Sequence, residues 1–196
     1  MKKALFLFNI ALFIFAGCTS TSNVESAKIQ AVSRNLTDKG VKNQEQLYNF
    51  FLSHNPNADK KTVKKIASLY IDEAETEGIN SDCAFVQMCH ETGFLRFGGL
   101  VTKDMNNFCG LGSEGNGKNG ASFPSMKIGV RAHIQHLQAY ATTENKKLKN
   151  KVVDPRYSWP HKAYLAQTIF DLTGKWATDP EYADKLDKYL SELEKF

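Results

Sequence analysis

Glu91 is the residue whose neighbours best equip it for acid–base chemistry. It closes the stretch Ala84-Phe85-Val86-Gln87-Met88-Cys89-His90-Glu91-Thr92-Gly93-Phe94. The apolar spacing there predicts an amphipathic helix, with Gly93 free to take the left-handed conformation that stops it. A carboxylate at the negative end of a helix dipole, flanked by Phe94 and Phe97, has its charged form disfavoured by both the dipole and desolvation. Such a group stays protonated near neutral pH and can act as a general acid. The chain also carries metal-ligand types. His90-Glu91 begins like a zincin motif, and Cys89, Cys109, His133 and His136 are all zinc-ligand types, the two histidines at i, i+3 spacing. Phe94 stands where the second histidine of that motif belongs, so the motif is broken. No metal and no other cofactor is expected, and a zinc metalloenzyme is kept only as an alternative.

The elements that must position these residues read mainly as helices. Gln44 to His54 carries Leu47, Phe50 and Phe51 on one side and ends at Asn55-Pro56. Asp59 can cap the next helix, where Val63, Ile66, Ala67, Tyr70, Ile71 and Ala74 recur at helical spacing as far as Gly78. Its Lys60, Lys61, Lys64 and Lys65 read as a solvated face, with attraction to an anionic wall polymer as the alternative. Asn80-Ser81-Asp82 starts the Glu91 helix. From Phe97 to Pro124 the chain is glycine-rich, and long glycine loops inside compact domains are usually functional. Phe108 to Leu111 and Ala121 to Phe123 are expected to pair as a small β-hairpin lobe. Ile128 to Thr142 is a further helix, with Val130, Ile134, Leu137 and Ala141 as one stripe and His133, His136 and Tyr140 beside it. After the turn-rich Asp154-Pro155-Arg156-Tyr157, a helix is expected over about Lys162 to Leu172. The last helix is expected to have Asp179 as cap and Pro180 at its first position. The fold class is thus α+β, mainly α.

Composition suits one globular domain: 196 residues, 42% hydrophobic and 23% charged. Met1-Lys2-Lys3, the apolar run Ala4 to Phe15 and the closing Phe15-Ala16-Gly17-Cys18 resemble a bacterial lipoprotein signal, with Phe15 in place of the usual Leu. The resemblance implies cleavage before Cys18 and lipid on its sulfur. The alternatives are an ordinary secretory signal or a retained anchor, and all three export the protein. Residues 1–17 are therefore assigned to the signal, 18–42 to a flexible polar tether and 43–196 to the domain. The net charge of +4 includes Lys2 and Lys3, and the remainder is too small to argue for nucleic acid. Without Cys18, Cys83, Cys89 and Cys109 are an odd set. At most one intramolecular disulfide, Cys109 with Cys89 or Cys83, competes with buried free thiols.

Taken together, four segments resemble the glucosaminidase domain of glycoside hydrolase family 73, the bacterial wall autolysins. They are Gln87 through Glu91-Thr92-Gly93-Phe94, then Asn107-Phe108-Cys109-Gly110-Leu111, then Phe123 leading into the Ile128 to Tyr140 helix, and Ala177-Thr178-Asp179-Pro180-Glu181-Tyr182-Ala183. The resemblance covers roughly Ser81 to Leu190. It implies a lysozyme-like helical fold with a small β-lobe over a cleft, and endo-β-N-acetylglucosaminidase activity on peptidoglycan. Glu91 matches the family's acid, Tyr182 a tyrosine facing the cleft, and Asn107 with Gly110 the strand that lines it. Where many members have a Phe-Arg-x-Tyr strand, this chain has Phe123-Pro124-Ser125-Met126, so the contacts of that Arg and Tyr do not carry over.

Glycoside cleavage also needs a group to stabilise or trap an oxocarbenium-like centre. Glu114 in Gly112-Ser113-Glu114-Gly115 is the favoured candidate. Asp104, or attack by the substrate's own N-acetyl group assisted by Tyr182, are the others. Phe94, Phe97 and Phe108 are candidates to stack on sugar faces, against the alternative of core positions, and Trp159 and Trp176 carry the same ambiguity. Tyr157 sits in a loop that can reach a cleft, or is a packed turn residue. The expectation is an exported, lipid-anchored, monomeric peptidoglycan hydrolase without cofactor. A catalytically silent peptidoglycan-binding lipoprotein is the alternative.

Overall fold

The structure is a computed structural model and describes residues 31–113, 119–143, 145–163 and 165–196. Cys18 and Glu114 lie outside the described residues. Among the described residues there are six α-helices, α1 Gln44–His54, α2 Lys60–Glu77, α3 Ser81–Glu91, α4 Met126–Ala141, α5 Ser158–Ala163 and α6 Tyr182–Leu193. Two single turns of 3-10 helix, Lys103–Met105 and Ile169–Leu172, punctuate the loops. None of these helices is long and apolar enough to cross a membrane.

Local chemistry sets the helix starts. Asn43 and Gln46 form a reciprocal capping box on α1. Asp59 accepts from the Thr62 amide at 2.7 Å to begin α2, and Gly78, at φ 71, ends it in the left-handed conformation. Asn80 caps α3 through Oδ1 while its amide nitrogen donates to the carbonyls of Ser33 and Asn35. One side chain thus starts a helix and anchors an earlier segment to it.

Helix α3 is the axis of the packing. It touches α1, α2, α4 and α6, and every residue from Ser81 to Cys89 is buried. A helix enclosed on all sides has no need of the one-sided stripe expected for it, which corrects the amphipathic reading. Helices α2 and α4 pack beside it, joined by Arg131 of α4 gripping Glu73 of α2 at 2.8 and 3.0 Å. The thiols of Cys83, Cys89 and Cys109 are all free and buried.

Four expectations about elements change. The first part of the tether expected over 18–42 lies outside the described residues, and residues 31–42 do not belong to it, because Val32 and Leu36 are in the core at 3% and 0% exposure. Arg34 there is held by Asp187, Ser191 and Glu194 of the α6 segment. The hairpin lobe is absent among the described residues. Ala121 donates to the Leu111 carbonyl and Phe123 to that of Met105, but no ladder extends from these bonds. The Asn107 side chain takes the ladder's place, donating to the carbonyls of Leu111 and Ala121 and accepting from the Leu111 amide. The expected helix from Lys162 to Leu172 is divided, since the Asp171 carboxylate accepts from the amides of Gln167 and Thr168 and starts a new turn at Ile169. Finally, α6 begins at Tyr182 rather than at Pro180, because Asp179 accepts from the amides of both Glu181 and Tyr182 in a preceding turn.

Candidate active site

Helix α3 delivers Glu91 as its last residue, half-buried, to the wall of a hollow of about 260 Å3. Gly93, Phe97, Val101, Asn107, Gly110 and Ser113 line the rest. The turn after the helix is unusual. Gly93, Phe94 and Leu95 are successive left-handed residues, at φ 56, 57 and 59. Each non-glycine residue in that conformation is strained by roughly 1–2 kcal/mol. Backbone bonds from Phe94 to Cys89 and from Phe97 to Thr92 hold the turn, helped by the Thr92 hydroxyl, which accepts from the Leu95 amide.

Two donors converge on one oxygen of Glu91. The Tyr182 hydroxyl donates to Oε1 at 2.5 Å and the Trp176 indole at 2.9 Å. Burial raises the Glu91 carboxyl above its ordinary value, against the opposing pull of those two hydrogen bonds. Burial, reinforced by the Glu91 charge, in turn pushes the Tyr182 phenol well up, so Tyr182 remains a donor. Behind Tyr182 the polar contacts continue inward. Gln87, one turn before Glu91 on α3, donates to the Tyr182 oxygen at 2.9 Å. Gln87 Oε1 meets His133 Nε2 at 3.0 Å, and His133 Nδ1 meets the Tyr70 hydroxyl at 2.7 Å.

The candidate residues divide on this geometry. Glu91, Tyr182, Asn107 and Gly110 come together at or beside the hollow, and Phe97 lines it as well. Phe94 does not. The left-handed turn swings its ring inward, where it is 4% exposed and stacked on His54 at 4.3 Å between ring centres. Phe108 is likewise buried, packed against Gly129 of α4. Neither ring can face a sugar, which corrects both assignments. Tyr157 donates to Gln138 at 2.8 Å and lines a separate hollow of about 470 Å3 with Lys146, Lys147 and Lys151, so it is not grouped with Glu91. Ser113, next to the undescribed Glu114, is on the rim. Asp104 is exposed, bonded to the Thr102 hydroxyl, and does not line the hollow.

Both ring nitrogens of His133 are taken by Tyr70 and Gln87, and His136 Nδ1 is held by Asp154 at 2.8 Å. Among the described residues no group of three or more histidine, cysteine or acidic side chains is arranged to hold a metal ion.

Three residues of the site carried little or no signal in the sequence as site groups. Gln87 was legible as the first residue of the segment ending at Phe94, four before Glu91 and hence on its face, with no role attached. His133 looked like a ligand type and Trp176 like an ambiguous aromatic. Trp176 stands between the Glu91 hollow and an adjoining one of about 160 Å3, lined by His136, Tyr140, Arg156 and Trp159. The two hollows share Gly110 and Ser113.

Residues 67–195 match the Glucosaminidase family, described as mannosyl-glycoprotein endo-beta-N-acetylglucosaminidase. An uncharacterized protein of Borreliella burgdorferi is 42% identical over 199 residues, spanning 98% of this chain and 96% of the relative. The catalytic domain of the autolysin Auto (Lmo1076) from Listeria monocytogenes superposes with a TM-score of 0.46 at 18% identity, covering 80% of this chain and 99% of that domain.

Proposed function

This chain belongs to the glucosaminidase family, and from that premise we propose that it hydrolyses the glycan of peptidoglycan as an endo-β-N-acetylglucosaminidase with Glu91 as general acid. The observation that carries the reading is the convergence of Tyr182 and Trp176 on Glu91 Oε1. A carboxylic acid whose Oε1 accepts two hydrogen bonds has Oε1 as its carbonyl oxygen, so the proton sits on Oε2. Burial keeps that proton on the group at a pH where an ordinary glutamate has lost it. In this mechanism Oε2 passes the proton to the glycosidic oxygen as its bond to the anomeric carbon breaks, and the carboxylate formed is stabilised by the same two donors. Glu114, next in sequence to the rim residue Ser113, is the proposed carboxylate for the second role. The adjoining hollows that share Gly110 and Ser113 suit a chain substrate longer than one sugar.

The test is digestion of purified sacculi by the chain lacking residues 1–18, beside its Glu91→Gln variant, with new ends reduced by borohydride and identified by mass spectrometry. Reduced GlcNAc ends from the parent alone are expected. Reduced MurNAc ends would assign the neighbouring bond instead. Binding without any new ends would make the protein a silent peptidoglycan-binding module.

Export and lipid attachment at Cys18 belong to the same proposal, supported by the Lys2-Lys3 and Ala4 to Phe15 pattern. Attachment there would limit how far the activity spreads. Cys18→Ser should move the protein from the membrane fraction to the soluble one, and an unchanged distribution would end that part of the reading.

A further inference from the structure

One residue from each of four helices joins in an unbroken line of hydrogen bonds ending on the candidate acid. The line runs from Tyr70 of α2 through His133 of α4 and Gln87 of α3 to Tyr182 of α6, then to Glu91. Tyr70 and His133 are 0% exposed and Gln87 is 1% exposed, so water takes no part at these links. A buried polar line of this kind is costly unless every member is satisfied, and here each of these contacts has a fitting donor and acceptor.

The bonds also have a direction. In one direction Tyr70, a phenol held protonated by burial, donates to His133 Nδ1. A neutral imidazole that accepts at Nδ1 carries its hydrogen on Nε2 and donates to Gln87 Oε1. The amide then presents Nε2 to the Tyr182 oxygen, and Tyr182 spends its own hydrogen on Glu91 Oε1. The opposite direction is equally consistent within the chain. With hydrogen on Nδ1, His133 would accept from the Gln87 amide, Gln87 would accept from Tyr182, and the Tyr182 oxygen would face Glu91 as an acceptor. The acid's proton would then settle on Oε1, on the tyrosine side and away from the hollow.

We propose that Tyr70, His133 and Gln87 are positioning residues that fix the direction of this chain, making Tyr182 a donor to Glu91 and so placing the acid's proton on Oε2. The inference rests on the reading of Glu91 as general acid. Tyr70 is the control point, because a buried phenol has one hydrogen and His133 Nδ1 is where it goes.

The titratable groups around Glu91 come from several elements. Tyr182 comes from α6, Cys109 from the glycine loop, and Tyr70 and His133 from α2 and α4. Burial holds the two phenols and the thiol up and takes His133 down to about 3. His136 of α4 is paired with Asp154, and His54 of α1 with Glu192 behind the Phe94 ring. His90, on α3 itself, is lowered by burial and by Lys185, with Asp179 opposing.

The experiment compares Tyr70→Phe with Ile66→Val, a change at an equally buried position of the same helix. Tyr70→Phe should bind sacculi and give the parent's KM. Its kcat should fall roughly ten- to a hundredfold, the scale of one hydrogen bond to a charged group in the transition state. The high-pH limb of kcat should move upward, because the Tyr182 bond that lowers the Glu91 pKa is weakened. Ile66→Val should move neither. Heteronuclear NMR of the imidazole nitrogens in the unaltered protein is the second readout, with His133 expected as the Nε2–H tautomer. An Nδ1–H tautomer, or a Tyr70→Phe profile that matches Ile66→Val, overturns the proposal. Activity retained by Glu91→Gln would instead overturn the reading beneath it, so the two failures are distinguishable.

Discussion

At Glu91 the residue scale sets activity against stability. The carboxyl is held above its ordinary value of 4.5, chiefly by burial. The folded state therefore holds that proton more tightly than the unfolded chain does. Its contribution to stability is greatest below the ordinary value and is lost as pH rises through the raised one. Glutamine keeps an Oε1 that can accept from Tyr182 and Trp176, and it has no charge to bury. Glu91→Gln is expected to lower turnover by roughly a hundredfold or more. Its melting temperature at neutral pH should nevertheless equal or exceed the parent's, with the difference vanishing in acid. Melts across pH decide this, and a variant markedly less stable at neutral pH would contradict the assigned cause of the shift. Glu91 and Tyr182 could be singled out as candidates because each sits in a short local pattern, Glu-Thr-Gly-Phe and Asp-Pro-Glu-Tyr-Ala. Phe94 could not be decided between a sugar-facing and a core position, because its direction depends on the left-handed Gly93 to Leu95 turn, held by distant packing on His54 and Tyr189.

At the scale of elements, the glycine loop is located by one close approach. A Cβ on Gly129 of α4 would lie 1.8 Å from the Asn106 carbonyl oxygen, an overlap with backbone that no side-chain rotation relieves. Gly129 thus lets the Asn106 to Gly112 segment sit directly on α4, and Asn107 can then arrange the wall of the hollow through its three bonds to Leu111 and Ala121. Gly129→Ala should cost about 1–3 kcal/mol, as overpacking does. It should reduce hydrolysis through displacement of the loop while leaving helix content by circular dichroism unchanged. Unchanged hydrolysis would show that the loop's seat on α4 is not needed for the site. The α4 helix itself was legible from its stripe, whereas the function of its glycine was not. A glycine inside a helical pattern says only that something comes close, and the thing that comes close here is more than twenty residues earlier in the chain.

At the scale of the whole molecule, the N-terminal segment closes the core. Val32 and Leu36 are buried, Arg34 clasps Asp187 and Glu194, and the Asp82 carboxylate accepts from the amides of Val41 and Lys42. Losing the burial of those two apolar side chains alone removes about 3–5 kcal/mol, a large share of the stability of a domain this size. A chain beginning at residue 31 should melt cooperatively, and one beginning at residue 43 should melt far lower or fail to fold. Equal melting temperatures would return residues 31–42 to the role of a tether. What the sequence by itself determined is what local periodicity and short motifs encode: the cores of α1 to α4, the cap Asp59, the start of α3 at Asn80, and the place of Glu91 at the end of α3. What only the tertiary structure decided is everything that depends on residues far apart in the chain: the docking of Val32 and Leu36, the inward turn of Phe94 and Phe108, and the line from Tyr70 to Glu91. Helix periodicity acts over a few residues. A hydrogen bond between side chains on different helices exists only after packing has brought those helices together, and no spacing along the chain announces it.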